Sequence, residues 1–386
     1  MKNLLSKLHQ WLWDCKYDLL AMLYSFQPIQ KNKIVITSYY GADYGDNGKY
    51  IVEELQKSGT KVDIVWLLKR ELMENNHLPQ GVRPVEYRST ASIKELQTAG
   101  IWIDNARKVY GRKRKGQFYI QTWHGGPGMK RIEKDVASEL GSHYVRNAKR
   151  DSKMCDVILS NSDFMTGLFT NIFWYNGQIL ECGTPRNDVL CGSHPEIREK
   201  IRKFYGVSSD KKILLYAPTF RKDKGLGAYN IDLQRCAKTL EEKFGGEYVT
   251  FLRLHPNISH LAGELQVDNQ SVFNATLYPD MQELLSGSDC LITDYSSCSI
   301  DFSLTGRPCF LYASDIEAYR NNRGYYFGFE ELPYDIVQDN DALVQAIRSF
   351  DDTASAARVA EFHAKTGMFD NGTACAACVE LILKKI

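Results

Sequence analysis

Short apolar runs alternate with amphipathic, helix-like segments along most of the chain. From residue 32 onward the apolar runs are typical of strands that are buried on both faces of a parallel sheet. They cover 33–40, 62–68, 99–104, 118–123, 157–162 and 179–185 in a first series, and 212–220, 248–255, 290–297 and 308–314 in a second. Helical patterns separate them, as at 49–59 and 279–288, which predicts repeated βαβ units. We therefore predict an α/β protein with two doubly wound, Rossmann-like halves joined near residue 205.

The first 26 residues have a different pattern, an apolar stripe at helical spacing. It comprises Leu4, Leu5, Leu8, Trp11, Leu12, Cys15, Leu19, Met22, Leu23 and Phe26. Charged residues such as Lys7, Asp14 and Asp18 interrupt the segment, so it is not the run of about 20 apolar residues that spans a bilayer. The stripe either lies in a membrane interface or packs on the body of the protein. The predicted domains are a membrane-associating amphipathic helix at 1–30, an amino-terminal lobe at 31–204 and a carboxy-terminal lobe at 205–386.

Composition narrows the classes of protein to consider. A chain of 386 residues favours two domains over a single core. The 48 basic side chains balance the 47 acidic ones, which argues against a partner held by overall charge, such as nucleic acid. Ten scattered cysteines favour a reducing compartment. Cys375 and Cys378 form a CxxC pair without a second pair of ligands, so we predict no bound metal and no cofactor.

Candidate chemistry follows the predicted strands, because open parallel sheets bind ligands beyond the carboxyl ends of their strands. In QTWHGGPGMK (121–130), His124 ends a predicted strand, and Gly125 and Gly126 permit close backbone approach. Pro127 suits the first turn of a helix continuing through 129–136, whose free N–H groups would attract an anion. A neutral imidazole at this point can take a proton from a hydroxyl group. The alternative is a glycine-rich turn with a structural histidine.

The second series of strands ends in similar polar residues. Arg253 and His255 are two residues apart and project to the same face of a strand. Beyond other strand ends lie Pro218, Thr219 and Arg221, and Asp294, Ser296 and Ser297. The two serines are ordinary helix caps or phosphate ligands, and the residue types alone do not decide between these roles. Their recurrence at several strand ends indicates a site for phosphate.

Five motifs, in this order and spacing, resemble the CDP-glycerol glycerophosphotransferase family of teichoic acid and capsule synthesis. They are WHGGPG (123–128), GTPRND (183–188), YAPTFR (216–221), LRLHP (252–256) and ITDYSS (292–297). The resemblance runs from about residue 32 to the end. It implies a GT-B fold, two Rossmann-like lobes facing a central cleft. It also implies transfer of glycerol phosphate from CDP-glycerol to a hydroxyl of a polyprenyl-diphosphate-linked glycan, with release of CMP.

The resemblance also implies roles for individual residues. His124 matches the proposed general base that acts on the acceptor, and His255 matches a second essential histidine that faces the donor's diphosphate. The matching donor-binding positions are Trp123, Gly125, Gly126, Pro127, Arg186, Pro218, Thr219, Arg221, Arg253, Asp294, Ser296 and Ser297. Many family members have threonine where this chain has Gly126, which leaves the acceptor open.

Three functions remain distinct at this point. The first is the phosphotransferase, with CDP-glycerol or CDP-ribitol as donor. The second is a glycosyltransferase that uses a nucleotide sugar, and the third is a non-catalytic nucleotide- or lipid-binding scaffold. Because the family's acceptors are attached to a polyprenyl lipid, we expect a peripheral protein on the cytoplasmic face of the cell membrane. The basic run 112–116 suits anionic lipid or the acceptor's diphosphate, or is simply a solvated loop.

Overall fold

The computed structural model describes residues 13, 15–74, 77–128, 130–219, 230–254, 267–316 and 324–386. Two of the predicted site residues, Arg221 and His255, lie outside the described residues. The same holds for residues 1–12 and 14 of the predicted amino-terminal helix.

The chain forms two compact units. The first unit contains the described residues up to His124, together with Ile132–Asp188 and Phe369–Ile386. The second contains the described parts of Gly125–Arg131 and Val189–Met368. The main division lies between Asp188 and Val189, whereas the prediction placed it between residues 204 and 205. In addition, Gly125–Arg131 and Phe369–Ile386 each belong to the opposite unit from the residues that precede them in sequence.

The first unit is built on a seven-stranded parallel sheet. Its strands are β1 (Gln30–Thr37), β2 (Asp63–Leu68), β3 (Val82–Glu86), β4 (Ala99–Asp104), β5 (Phe118–Gln121), β6 (Val157–Ser160) and β7 (Gln178–Glu181). Their order is β3-β2-β1-β4-β5-β6-β7, so the chain reverses direction across the sheet between β1 and β4. In a doubly wound sheet that reversal is where ligands bind.

Helices cover this sheet. They are α1 (residues 15–24), α2 (Asp46–Lys57), α3 (Thr90–Thr98), α4 (Ser142–Met154), α5 (Asp163–Ile172) and, near the end of the chain, α12 (Ala374–Leu383). The apolar face of α12 belongs to the core of the first unit, where Cys378, Val379 and Ile382 pack with residues of β1 and β2. Burial of this face explains why the last segment joins the first unit.

The CxxC pair is part of that packing. Cys375 and Cys378 lie on α12 and are buried, and burial raises the pKa of both thiols. Asp188 fixes the start of the helix, since its carboxylate accepts hydrogen bonds from the N–H groups of Ala374 (3.1 Å) and Cys375 (2.7 Å). The pair therefore has a structural role in the core.

The second unit repeats the design with six parallel strands. They are β8 (Lys212–Tyr216), β9 (Tyr248–Leu252), β10 (Val272–Asn274), β11 (Cys290–Thr293), β12 (Cys309–Tyr312) and β13 (Ile336–Val337), in the order β10-β9-β8-β11-β12-β13. Its helices are α6 (Pro195–Tyr205), α7 (Leu233–Phe244), α8 (Met281–Gly287), α9 (Cys298–Ser303), α10 (Asn340–Arg348) and α11 (Asp352–Thr366). Here the reversal lies between β8 and β11.

The predicted α/β class with two Rossmann-like halves is confirmed, and every predicted strand has an observed counterpart. The prediction missed β3, β10 and β13, each of which is the outermost strand on one side of its sheet. An outer strand is covered by fewer neighbours and needs no continuous apolar run. In β3, for example, Arg83 and Pro84 interrupt the pattern, as edge strands permit.

Helix α1 docks on the first unit by a face other than the predicted apolar stripe. Tyr17 and Ala21 are buried, and the Tyr17 hydroxyl donates to the carbonyl of Arg88. The stripe residues of α1 and the turn after it remain exposed, with exposed fractions of 56% for Leu19, 55% for Met22, 52% for Leu23 and 84% for Phe26. Within the described part of the chain, no helix combines the length and apolarity needed to cross a bilayer.

Two arginines of the basic run 112–116 contact α1 and the segment just after it. Arg112 pairs with Asp18 of α1 at 2.8 Å, and Arg114 donates to the carbonyl of Gln27 at 2.8 Å. Lys113 pairs with the carboxylate of Asp156. These contacts within the first unit account for three of the run's four charges.

Candidate active site

In each sheet, polar side chains lie just beyond the two strands between which the strand order reverses. In the first unit these residues follow β1 and β4, and in the second they follow β8 and β11. His124 joins the first group from the loop after β5, the strand next to β4.

The imidazole of His124 is held by backbone and rings from neighbouring strand ends. Its Nδ1 lies 2.6 Å from the carbonyl oxygen of Asn105, the residue after β4. The ring of Tyr39, which follows β1, meets it edge-on at 5.4 Å, and the ring of Trp123 lies 4.5 Å away. A carbonyl oxygen only accepts hydrogen bonds, so Nδ1 carries the proton of the neutral ring. Nε2 is then the atom with a lone pair available to accept a proton.

Burial favours the neutral form of this histidine. It lowers the pKa of His124 below the ordinary value of 6.5, and it outweighs the opposing hydrogen bond with Asn105. The Arg186 guanidinium acts in the same direction as burial, whereas Asp46 opposes it. The imidazole is therefore in the base form at neutral pH.

The residue before His124 has a strained backbone. Trp123 has a φ of 55°, in the left-handed region that residues other than glycine rarely adopt. Three side chains hold this conformation. Gln121 Oε1 accepts from the Trp123 N–H at 3.0 Å, while Asn47 Nδ2 (2.9 Å) and the Thr122 hydroxyl (3.0 Å) donate to the Trp123 carbonyl. The strain at the turn is therefore offset by specific hydrogen bonds.

Other left-handed residues surround the same histidine. Tyr39, Tyr40 and Asp46 have φ values of 42°, 61° and 56°. The two tyrosines lie in the loop between β1 and α2, and Asp46 is the first residue of α2. Such conformations cost of order 1–3 kcal/mol each and concentrate at functional sites. Their position supports assigning this end of the sheet as the site.

A buried ion network packs against the Trp123 ring. Arg107 pairs with Glu133 at 2.9 Å and with Asp151 at 3.2 Å, and all three side chains are almost fully buried. The Arg107 guanidinium lies 5.6 Å from the centre of the Trp123 ring and 4.7 Å from that of Phe173. The network thus supports the indole beside His124.

Arg186, a predicted donor-binding residue, belongs to the same group. Its Nη1 donates to Asp46 Oδ2 at 2.5 Å and to the His124 carbonyl oxygen at 2.8 Å. The side chains of Arg186 and Asp46 are 6% and 7% exposed. The structure therefore brings Trp123, His124 and Arg186 together in the first unit.

The helix predicted to continue from Pro127 through 129–136 is wrong. Lys130 forms an isolated bridge with Tyr325, and the N–H of Arg131 donates to the Gly324 carbonyl at 3.0 Å, so these backbone groups make no helical bonds. Only a short 3₁₀ turn follows, at Glu133–Val136. Gly125, Gly126 and Pro127 belong to the second unit, and the last two are buried. Among the described residues of this loop, no helix begins that would present free N–H groups to an anion.

In the second unit, Asp294 fixes the loop after β8. Its carboxylate accepts from the N–H of Thr219 at 2.9 Å and from the Thr219 hydroxyl at 3.0 Å. Pro218, which precedes Thr219, is buried. Thr219, which follows β8, and Asp294, which follows β11, are therefore in contact at the point where the strand order of this sheet reverses.

The other predicted residues of this unit have more ordinary contacts. Arg253, directly after β9, donates through Nη1 to the carbonyl oxygen of Tyr278 at 2.6 Å. Ser297 is exposed at the start of α9, and its hydroxyl makes no cap hydrogen bond. Ser296 Oγ accepts a long bond of 3.4 Å from the N–H of Cys298. Of the two alternatives for these serines, ordinary helix capping is thus represented by one weak contact of Ser296.

The residues that hold His124 were not predicted. Asn105, Asp46 and Asn47 lie outside the five motifs, and so does Arg107, which follows β4. One signal was available, since Asn105 comes directly after the predicted strand 99–104, at the kind of position where ligands bind. Among the described residues, no three His, Cys, Asp or Glu side chains are placed to hold a metal ion.

Two Rossmann-like units, each with polar residues at its reversal point, place this chain in the GT-B class of α/β proteins. The chain belongs to the CDP-glycerol:poly(glycerophosphate) glycerophosphotransferase family, whose model matches residues 19–384. The predicted family is therefore confirmed.

Similar proteins come from teichoic acid synthesis. Over 93% of its length the chain is 33% identical to a teichoic acid poly(glycerol phosphate) polymerase of Staphylococcus epidermidis, and it covers 51% of that protein. It is 30% identical to a teichoic acid glycerol-phosphate transferase of Staphylococcus aureus, with 92% of each chain covered. The chain thus spans about half the length of the first of these relatives and nearly all of the second.

A solved structure of the wall teichoic acid polymerase TagF has the same fold. It matches with a TM-score of 0.82 and 31% identity, and the match covers 100% of this chain and 98% of that one. A structure of a TagF variant soaked with CDPG matches with a TM-score of 0.83.

Proposed function

We propose that this chain transfers glycerol phosphate from CDP-glycerol to a hydroxyl group of a polyprenyl-diphosphate-linked glycan and releases CMP. Family membership and the similarity to glycerol-phosphate transferases support the donor. The observation that best supports transfer to a hydroxyl group is the geometry of His124. Its Nδ1 is committed to the Asn105 carbonyl, so Nε2 of a neutral ring is left to accept a proton.

The proposed step is an in-line displacement. The acceptor oxygen forms a bond to the glycerol-bearing β-phosphorus, and the bond from that phosphorus to the oxygen of CMP breaks, so that CMP leaves with the bridging oxygen. His124 Nε2 takes the proton of the attacking hydroxyl. The remaining task is to position the reactants and disperse negative charge, which arginine side chains and backbone N–H groups can do.

Donor specificity is tested by the nucleotide that the protein releases. The purified chain is incubated with CDP-glycerol, CDP-ribitol and UDP-sugars in turn, each with a lipid-linked saccharide acceptor. CMP from CDP-glycerol, in excess of that from CDP-ribitol, is the expected result. Release of UDP would instead identify a glycosyltransferase, and no release from any donor would favour a non-catalytic scaffold. CDP-ribitol belongs in the panel because a ribitol-phosphate primase is 28% identical over 94% of the chain.

The proposed acceptor requires access to a membrane. Leu19, Met22, Leu23 and Phe26 form an exposed apolar surface on and just after α1, and Arg112 and Arg114 attach this segment to the first unit. A fixed helix with an apolar outer face suits the boundary between lipid headgroups and acyl chains. We place the protein peripherally on the cytoplasmic face of the membrane, where a polyprenyl-linked acceptor is anchored.

A further inference from the structure

The GTPRND segment (183–188) is anchored to its surroundings at several points within the first unit. The Thr184 N–H donates to Asp370 Oδ1 at 2.6 Å, and the Asp188 carboxylate accepts from the first N–H groups of α12. The N–H of Arg186 itself donates to Asn47 Oδ1 at 3.0 Å. The backbone that carries Arg186 is therefore fixed before its side chain makes any contact.

The Arg186 side chain extends from this fixed backbone to the loop of His124. One nitrogen, Nη1, donates both to Asp46 and to the His124 carbonyl. A charge-assisted hydrogen bond to a carbonyl restricts rotation of the peptide group between residues 124 and 125. Asn47 links the two segments that meet here. Its Oδ1 accepts from the Arg186 N–H, and its Nδ2 donates to the Trp123 carbonyl.

Burial makes this contact costly to break. The Asp46 carboxylate is buried, which by itself would raise its pKa, but the Arg186 guanidinium and the Asn47 N–H hold the pKa of Asp46 below its usual value. Removing either partner of a buried ion pair leaves the other charge uncompensated. The pair thus joins two segments with strained backbone, the start of α2 at Asp46 and the turn after β5 at Trp123.

We propose that Arg186 positions His124 instead of contacting the donor, by tying the His124 carbonyl to Asp46. This assignment rests on the proposed function for its catalytic consequence. It also implies that the state of the His124 ring depends on Arg186, and this dependence can be measured without any substrate.

The first test therefore uses the free protein. Imidazole resonances of ¹⁵N-histidine-labelled protein are titrated in the wild type and in Arg186→Met, with the His124 signal assigned by its loss in His124→Ala. The charged groups that influence this ring are Asp46, Arg186 and Glu133. Arg186→Met removes a positive charge and leaves Asp46 unpaired, so the pKa of His124 should rise. Arg83→Met, which removes a pair with Asp63 elsewhere in the same unit, should leave it unchanged.

An unchanged His124 titration in folded Arg186→Met would overturn the assignment. If Arg186→Met does not fold, Asp46→Asn replaces it. That substitution removes the negative charge near the ring, so the pKa of His124 should fall, and an unchanged value would again contradict the proposal.

The second test is a kinetic double-mutant cycle of Arg186→Met with His124→Ala. A positioning role predicts that Arg186→Met lowers kcat by roughly 10- to 100-fold, without raising the KM for CDP-glycerol, because misplacement of a catalytic group has effects of this size. In the His124→Ala background it should have no further effect on kcat. A higher KM in both backgrounds, with effects on the rate that multiply, would show that Arg186 contacts the donor. If the wild type releases no CMP, the proposed function fails, and the titration still tests whether the state of the His124 ring depends on Arg186.

Discussion

At the scale of single residues, the two nitrogens of His124 have different roles. Nδ1 fixes the ring against Asn105, and Nε2 is the proposed proton acceptor. Replacing His124 with alanine should lower the rate of CMP release by roughly 10²- to 10⁴-fold, the usual scale for loss of a general base. The KM for CDP-glycerol should change little. His143→Ala is the matched control because His143 is exposed on α4. Near-normal turnover by His124→Ala would refute its role.

The pKa of His124 gives a second prediction. The base must be neutral, so kcat/KM should fall as the pH drops through the pKa of the folded protein, which burial places below 6.5. The stability of the folded protein should depend on pH in the same direction. The folded state binds a proton at His124 less readily than the unfolded state, so this contribution to stability is full above pH 6.5 and is lost as the pH falls through the folded pKa. A pH–rate profile and thermal unfolding between pH 5 and 8 measure both effects. An acidic limb centred above pH 6.5 would contradict the assignment.

His124 could be predicted from the sequence, but the residues that hold it could not. The motif WHGGPG places the histidine after a strand, which follows from local pattern. Its contacts with Tyr39 and Asn105 depend on β1 and β4 being neighbours near the centre of the sheet. Periodicity predicts strands but not their order. The strain was also not predicted, since the prediction concerned the glycines of this turn and the left-handed residue is Trp123.

At the scale of elements, α1 offers a direct test of membrane binding. Substituting Leu19, Met22, Leu23 and Phe26 with serine should abolish flotation with anionic liposomes, because these residues supply the exposed apolar area. The thermal unfolding midpoint should change little, since exposed substitutions cost within about 0.5 kcal/mol each.

The control for this variant is Phe204→Ser with Leu277→Ser. These residues of the second unit are 63% and 80% exposed. The control should float as the wild type does. If the α1 variant still floats, this surface is not the membrane anchor.

Helix α12 provides a prediction about stability. Asp188→Ala leaves the first N–H groups of α12 without their acceptor and should destabilise the first unit by about 1–2 kcal/mol. Asp188→Asn retains one oxygen acceptor and should lose less. Urea unfolding followed by tryptophan fluorescence is suitable because all six tryptophans precede residue 189. Equal stability of Asp188→Ala and the wild type would show that the contact contributes nothing.

Some strands and helices could be predicted from the sequence better than others. Central strands are covered on both faces, so their apolar runs identified them. The helix predicted from Pro127 through 129–136 did not form, because the backbone of Lys130 and Arg131 pairs with Tyr325 and Gly324, which are distant in sequence. Helix α12 was expected in the carboxy-terminal lobe, because its apolar face does not indicate which core will receive it.

At the scale of the whole molecule, the two units share one design, a parallel sheet whose order reverses once and whose polar residues gather beyond that reversal. His124 and Arg186 meet in the first unit, and Thr219 and Asp294 meet in the second. The alternation of strands and helices was sufficient to predict two such units. It could not predict that residues 125–131 belong to the second unit and residues 369–386 to the first, because tertiary packing decides this.

The reaction proposed for this chain is the transfer of glycerol phosphate to a lipid-linked acceptor. The most direct measurement follows radiolabelled glycerol phosphate from CDP-glycerol into a synthetic polyprenyl-diphosphate-linked saccharide, with CMP quantified in parallel. We expect one CMP released for each glycerol phosphate incorporated by the wild type, and a loss of both signals together in His124→Ala. Release of CMP without label in the acceptor, or label transferred at the wild-type rate by His124→Ala, would contradict it.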